Sequence, residues 1–384
     1  MGRTLADQRP ERYQALAAAQ TLIQQYALDF GPIHDRISRA DQVQQTQRFG
    51  WVGAAPTSEA IDAPYPLPAC PEQLTVLASD GSQILPDQHA IFPYYLINVG
   101  SITYRHGSNR KPETYNPPPI LNFEPFDERG QLIAPPEINV QRDLAELEVL
   151  LDRVQHLGTE ESQPVITLLD RQLTLRVIDL PFDRQKICQD QYVDMLDSLR
   201  QTGALIAGYV DRPRSTFVLA LLHLASLEIT AITEDNLRRT PFRGLTDLDL
   251  FDFLGPGERS AIFSLKAKGL EKYGNAGHAI HFFYVNVSQS QARPYLARVE
   301  LPAWLVANHQ ALDLLHAAIV RQARIIGGYP YVLARADELA VISSQEREAV
   351  ELMIAMEMYR QSLNSEISAK QQHKNMFRNS RRRF

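Results

Sequence analysis

The sequence predicts an α/β fold in which a mixed β-sheet core is flanked by helices, with a helical N-terminal arm and C-terminal helices. Three observations lead there. Two short apolar runs, Leu74-Thr75-Val76-Leu77-Ala78 and Val165-Ile166-Thr167-Leu168-Leu169, have the length and composition of buried strands. Residues 142–157, between them, carry apolar side chains at helical spacing. Beyond the second run, strand-like and helical segments alternate, as layered α/β cores require.

In chain order, residues 11–30 place Tyr13, Leu16, Ala17, Leu22, Ile23, Tyr26 and Leu28 roughly along one helical stripe, followed by a polar, glutamine-rich stretch to Phe49. Residues 53–71 are rich in Ala, Pro and Ser, which predicts a linker and starts the core near Glu72. The expected division is an arm and linker over residues 1–71, a core domain over 72–367 and a basic tail over 368–384. Residues 91–104 and 120–126 read as antiparallel strands beside the first one, separated by a connection with Pro117-Pro118-Pro119. The helix over 142–157 buries Leu144, Leu147, Leu150, Leu151, Val154 and Leu157.

After the second run come a further strand to Ile178, a helix over 189–202 and an apolar run over 204–210. Ser215 is placed to start or cap an apolar helix over 216–227. A turn-rich insertion around 247–260 precedes strands at 261–265 and 280–287. The helix over 312–326 stops at Gly327-Gly328-Tyr329-Pro330, because glycine accepts the left-handed cap and proline cannot continue a helix. Helix returns over 345–367, and the tail carries Arg378, Arg381, Arg382 and Arg383.

Composition narrows the class without deciding the chemistry. At 384 residues, 44% hydrophobic and 22% charged, the chain can bury a large core. A formal net charge of −6 argues against a uniformly basic nucleic-acid binder but leaves local basic patches open. Cys70 and Cys188 lie far apart without metal-type spacing, so neither a disulfide framework nor a zinc finger is indicated, and a reducing cytoplasm is expected. The most apolar stretch, 217–232, is interrupted by His223 and Glu228, which predicts no membrane span.

Candidate chemistry gathers at acids. Asp80-Gly81-Ser82 follows the first apolar run: glycine permits a sharp reversal that leaves the carboxylate open, with Ser82 able to orient it. The plainer reading of Asp-Gly is a turn. Asp170 ends a continuously apolar strand, where an acid needs a reason; the plainer reasons are a cap or a partnership with Arg171. Glu146 and Glu148 flank the buried face of the helix on opposite edges, so periodicity does not choose between them, and either suits a solvated flank. Asp337 stands inside a short apolar segment, 332–342. Arg212, Arg214 and Arg259 sit in turns beside the core, where guanidinium groups can grip phosphate, although isolated surface arginines are common. The chain has no Gly-x-x-x-x-Gly-Lys loop and no Gly-x-Ser-x-Gly elbow.

The order strand-end Asp, helix Glu, strand-end Asp is the one a metal-dependent, ribonuclease H-like nuclease core requires, since gathered carboxylates repel one another without a divalent cation. These residues resemble the NurA family of DNA-end-processing nucleases. The matching pieces are Ser79-Asp80-Gly81-Ser82-Gln83, the helix Glu, Asp170, Gly208-Tyr209-Val210-Asp211-Arg212-Pro213-Arg214-Ser215, Pro256-Gly257-Glu258-Arg259-Ser260 and Gly328-Tyr329-Pro330. Similarity extends over about residues 72–363.

The resemblance implies a ribonuclease H-like fold and a 5′-to-3′ DNA exonuclease, with possible single-strand endonuclease activity, in double-strand-break end resection. Asp80, one of Glu146 or Glu148, and Asp170 would hold two Mn²⁺ (or Mg²⁺) ions, with Tyr329 in the active-site tyrosine position. The implied partners are DNA ends, a HerA-type hexameric ATPase and a second copy of the chain. Two departures stand out. Asp170 is followed by Arg171-Gln172 where the family usually has Gly-Ser, and a histidine eight residues past the tyrosine is replaced by Asp337, which could still bind a hard cation as a metal ligand but not as a neutral imidazole. They sustain an alternative, a NurA-like adaptor that binds DNA ends or the ATPase without cleaving.

Overall fold

The computed structural model describes residues 9–46, 50–90, 92–123, 125–127, 129–158, 163–290 and 294–360. Ten strands form one mixed sheet: β1 (Gly53–Pro56), β2 (Leu74–Ile84), β3 (Tyr95–His106), β4 (Glu113–Tyr115), β5 (Ile120–Asn122), β6 (Val165–Leu169), β7 (Leu205–Asp211), β8 (Phe263–Lys266), β9 (Ile280–Asn286) and β10 (Leu296–Pro302). Their spatial order is β1-β8-β9-β10-β7-β6-β2-β3-β4, with β5 also on β3. At the centre β2, β6 and β7 run parallel, while β3 and β10 pair antiparallel on either side. This is the expected ribonuclease H-like arrangement, a mixed sheet flanked by helices.

Twelve helices accompany the sheet among the described residues: α1 (Arg9–Gln25), α2 (Gly31–Thr46), α3 (Pro135–Leu157), α4 (Phe182–Gln201), α5 (Phe217–Ser226), α6 (Glu234–Arg238), α7 (Asp247–Leu250), α8 (Glu271–Asn275), α9 (Ala303–Val306), α10 (His309–Ile326), α11 (Tyr331–Ala340) and α12 (Ser344–Arg360). Strand alternation sorts them. Val76 and Ala78 of β2 join Leu168 of β6 and Tyr209 of β7 in a core under α10 and α11. Leu77, Leu169 and Ile206 point the other way, into α3 and α4. At the far end of that second face, α1, α2 and α5 cover Phe282 and Tyr284 of β9.

Several sequence expectations shift. The presumed linker holds β1, paired to β8, and buries Ala54 and Ile61, so it closes the sheet edge rather than spacing two bodies. In α1 and the turn after it the buried stripe runs through Ala19, Ile23 and Tyr26, while Tyr13, Ala17 and Leu28 are exposed. The strand expected up to Ile178 is absent: Leu173 N–H donates to Glu300 and Leu175 N–H to the Tyr273 hydroxyl, so side chains satisfy this backbone instead of a ladder. Segment 332–342 is the helix α11, and β10 had no counterpart in the sequence reading. Ser215 does not cap α5; the buried Asp247 carboxylate accepts from Val218 and Leu219 N–H at its start. The basic tail with Arg378, Arg381, Arg382 and Arg383 lies outside the described residues.

Candidate active site

Register places the acids. Ser79 of β2 pairs with Leu169 of β6, so Asp80 and Asp170 come next, side by side on parallel strands whose backbones lie ~4.8 Å apart. Leu169 in turn pairs with Gly208, which sets Asp211 slightly further along β7. By alternation Asp80, Asp170 and Asp211 share the face covered by α10 and α11. Asp80 is not at a strand end, because β2 continues to Ile84 and Gly81 makes no turn. What leaves Asp80 accessible is the bare backbone opposite. Its partner on β3 is Gly100, where a Cβ would meet Ala340 N of α11 at 2.7 Å, so only glycine lets the end of α11 close over this point. Ser82 and Asn98 tie α11 down by donating to the Ala340 carbonyl, so Ser82 serves the helix rather than Asp80.

That closure delivers Asp337 from α11 and Tyr329 from the turn before it. Burial raises the Asp80 carboxyl to about 6; the Gly81 N–H opposes this, while the charges of Asp170 and Asp337 and a hydrogen bond shared with Asp337 add to it. Burial also raises Asp170, and the Tyr329 hydroxyl, donating to it, pulls it back. Burial and the Asp170 charge push Tyr329 far up, so it stays a protonated donor. Its ring packs edge-on against Tyr209 at 5.5 Å between centroids, which fixes its direction.

Glu146 comes from the opposite face. It is 3% exposed on α3, whereas Glu148 is exposed, so of the two it is Glu146 that turns inward. A Cβ on Gly81 would lie 2.8 Å from Glu146 Oε1 and 2.7 Å from Arg142 Cγ, so glycine beside Asp80 is the gap through which α3 approaches β2. Both carboxylate oxygens are engaged: Arg171 Nε donates to Oε2 at 3.0 Å, and Arg142 Nε lies 3.2 Å from Oε1. Burial pushes the Glu146 carboxyl up, the Arg171 and Arg142 guanidiniums draw it back, and the charges of Asp143 and Asp80 push it up again.

The arginines expected at the DNA divide in two. Arg212 and Arg214 are exposed just past Asp211. Arg212 has a left-handed backbone, φ 40°, a strained conformation of the kind that gathers at functional sites, and its guanidinium lies 4.6 Å from the centre of the Tyr295 ring. Arg259 is not available to phosphate. It is 5% exposed and bidentate to Glu59, with distances of 2.7 and 2.8 Å.

A family model described as the NurA domain matches residues 74–342. The chain belongs to the NurA domain family. No curated protein matches it. Similar solved structures include the NurA nuclease from Sulfolobus solfataricus, 11% identical with a TM-score of 0.47, covering 94% of this chain and 98% of that one. The catalytic domain of human Endonuclease V is 13% identical with a TM-score of 0.32, covering 74% of this chain and 85% of that one. LC9-RNase H1 is 10% identical with a TM-score of 0.22, covering 41% and 70%.

In this NurA-domain protein Asp80, Asp170 and Asp337 suit a hard divalent cation, because burial, and after it the charges of Asp170 and Asp337, raise Asp80, and an ion among their oxygens would relieve that repulsion. Glu146 does not suit that role here, with its oxygens turned to arginines. Among the described residues no three His, Cys, Asp or Glu side chains already form a cation cage, so the aspartates would have to draw together around an ion. Sequence reasoning missed Asp211 and Arg142 as site residues. Asp211 ends an apolar run just as Asp170 does, and Arg142 stands four residues before Glu146 on one helix face; both signals were present.

Proposed function

We propose that this NurA-domain protein is a metal-dependent DNA nuclease. The convergence of Asp80, Asp170, Asp337 and Tyr329 at a solvent-reachable point of the sheet, beside the exposed Arg212 and Arg214, carries the reading. A bound Mn²⁺ or Mg²⁺ would supply Lewis-acid activation of water and charge stabilisation at the leaving oxygen. The chain's own residues do the remainder: Asp80, Asp170 and Asp337 offer oxygen ligands, Tyr329 holds Asp170 in place, and Arg212 and Arg214 bring the phosphate backbone to an otherwise acidic surface. We extend the proposal, on the family resemblance, to 5′-to-3′ resection of DNA ends by a homodimer with a HerA-type ATPase in the cytoplasm. No helix among the described residues is long and apolar enough to cross a membrane.

One observation favours a second reading. With Glu146 tied to Arg171 and Arg142, the acid set is smaller than the resemblance implies, as an adaptor that binds DNA ends or the ATPase without cleaving would allow. Incubating the protein with end-labelled linear DNA and Mn²⁺, then with EDTA, decides between them. Metal-dependent shortening removes the adaptor; binding without shortening removes the nuclease. Cutting of closed circles would mark an endonuclease, and which label disappears first would test polarity.

A further inference from the structure

We propose that Glu146 is withheld from the metal site by a clamp of Arg171 and Arg142, so that one divalent ion binds on the aspartate face alone, where the family resemblance implies two. This rests on the nuclease reading of the same site. Asp80, Asp170 and Asp337 gather on the face of the sheet under α11, whereas Glu146 approaches β2 from α3 on the other face, through the gap left by Gly81.

The arginines hold it there from two directions. Arg171, in the loop after β6, reaches back to α3: its Nε donates to Glu146 Oε2 at 3.0 Å and its Nη2 to the Asp143 carbonyl at 2.9 Å. The Arg171 guanidinium also stacks over Tyr192, 5.5 Å from the ring centre, which leaves it little freedom to swing away. Arg142, one turn before Glu146, donates from Nη1 to Gln83 Oε1 at 3.0 Å and from Nη2 to Asp143 Oδ1 at 2.8 Å, so its position is set by β2 and α3 together. The two guanidiniums face Glu146 and Asp143, and the charge of Asp80 also reaches Glu146 and Arg142. For Glu146 to join a cation it would have to abandon two half-buried arginines, and leaving a buried carboxylate's partners behind is unfavourable. Arg171 is therefore a positioning residue that acts through Glu146, and it occupies the position after Asp170 where a Gly-Ser pair would offer no such charge.

Mn²⁺ titration of the full chain at pH 8 tests this, by calorimetry and by the electron paramagnetic resonance of free Mn²⁺, with DNA cleavage measured in parallel. Wild type takes up one ion. Asp170→Asn weakens that binding more than tenfold, and Glu146→Gln leaves it within about threefold. Arg171→Gln gains a second, weaker Mn²⁺ event that vanishes when Glu146→Gln is added, a change in stoichiometry that a merely structural arginine would not produce. Where Arg171→Gln fails to fold by circular dichroism, Arg171→Lys replaces it, since lysine keeps the charge but cannot span Glu146 and the Asp143 carbonyl together. Two ions in the wild type, a tenfold loss from Glu146→Gln, or no second event on loosening Arg171 would each overturn the clamp while leaving the nuclease reading standing. Wild type that neither binds Mn²⁺ nor cuts DNA would overturn both.

Discussion

Asp337 of α11 is brought against Asp80 of β2, and its charge, with that of Asp170, adds to the burial that raises the Asp80 carboxyl to about 6. The site thus holds repulsion that a cation would release. Asparagine at Asp80 keeps a donor for Asp337 and removes one negative charge. Asp80→Asn is therefore expected to melt a few degrees higher than wild type without metal at pH 8, yet to lose Mn²⁺-dependent cleavage by at least a hundredfold. Retained Mn²⁺-dependent cutting in Asp80→Asn would rule out Asp80 as a ligand.

The same carboxyl sets a pH dependence with a definite sign. Its ordinary value is 3.8 and its folded value about 6, so below 3.8 it is protonated in both states and contributes nothing. As pH rises from 3.8 towards 6 the unfolded chain releases its proton while the folded chain retains it, so stability falls; above about 6 the loss is complete. The full cost is on the order of 1–3 kcal/mol once solvent screening is allowed for. Urea denaturation of wild type and Asp80→Asn should converge near pH 4 and separate by pH 7.5. Cation binding runs the other way, because the ligand must be ionised: Mn²⁺ affinity should rise as pH climbs to about 6 and then level with respect to this group. A wild-type stability that rises relative to Asp80→Asn across that interval contradicts the assignment.

Much of this was legible in the sequence, and what was missed has physical causes. Asp80 and Asp170 each follow an apolar strand, and parallel register brings such residues abreast, so their proximity could be foreseen. The reason for Gly81 could not, because it depends on α3 approaching from the other face of the sheet. Helical periodicity left Glu146 and Glu148 equivalent; the packing of α3 against β2 separated them, since Ser79 Oγ donates to the Glu146 carbonyl. Arg259 looked like a turn arginine because its partner, Glu59, lies 200 residues away in a stretch that reads as linker. Long-range pairing of this kind leaves no local signature.

Tyr329 holds Asp170 through one hydrogen bond, and that bond opposes the upward push of burial on the acid. Phenylalanine keeps the ring against Tyr209 and deletes only the donor. Tyr329→Phe should therefore raise Asp170 further and move the acid limb of the cleavage profile to higher pH, with roughly tenfold slower cleavage at neutral pH. The pH–rate profile is the deciding measurement: an unshifted acid limb would show that Tyr329 does not act through Asp170.

The arginines separate fold from DNA contact. Arg259 and Glu59 form a bidentate pair beside the Tyr65 ring, with the Arg259 side chain 6% exposed and Glu59 also accepting from Ile262 N–H. Arg259→Ala leaves a half-buried carboxylate without its cation, which should cost about 3–5 kcal/mol of stability. Arg212 and Arg214 are exposed and should do the reverse. Glutamine at either one is expected to leave the melting temperature within about a degree, to weaken DNA binding several-fold, and to reduce the salt dependence of binding by about one counterion. The Arg212 guanidinium, steadied over Tyr295 beside Asp211, should matter more than that of Arg214, because a pre-placed cation loses less entropy on meeting phosphate. Binding isotherms at 50 and 200 mM salt would decide it, and equal salt slopes for wild type and Arg212→Gln would place the DNA elsewhere.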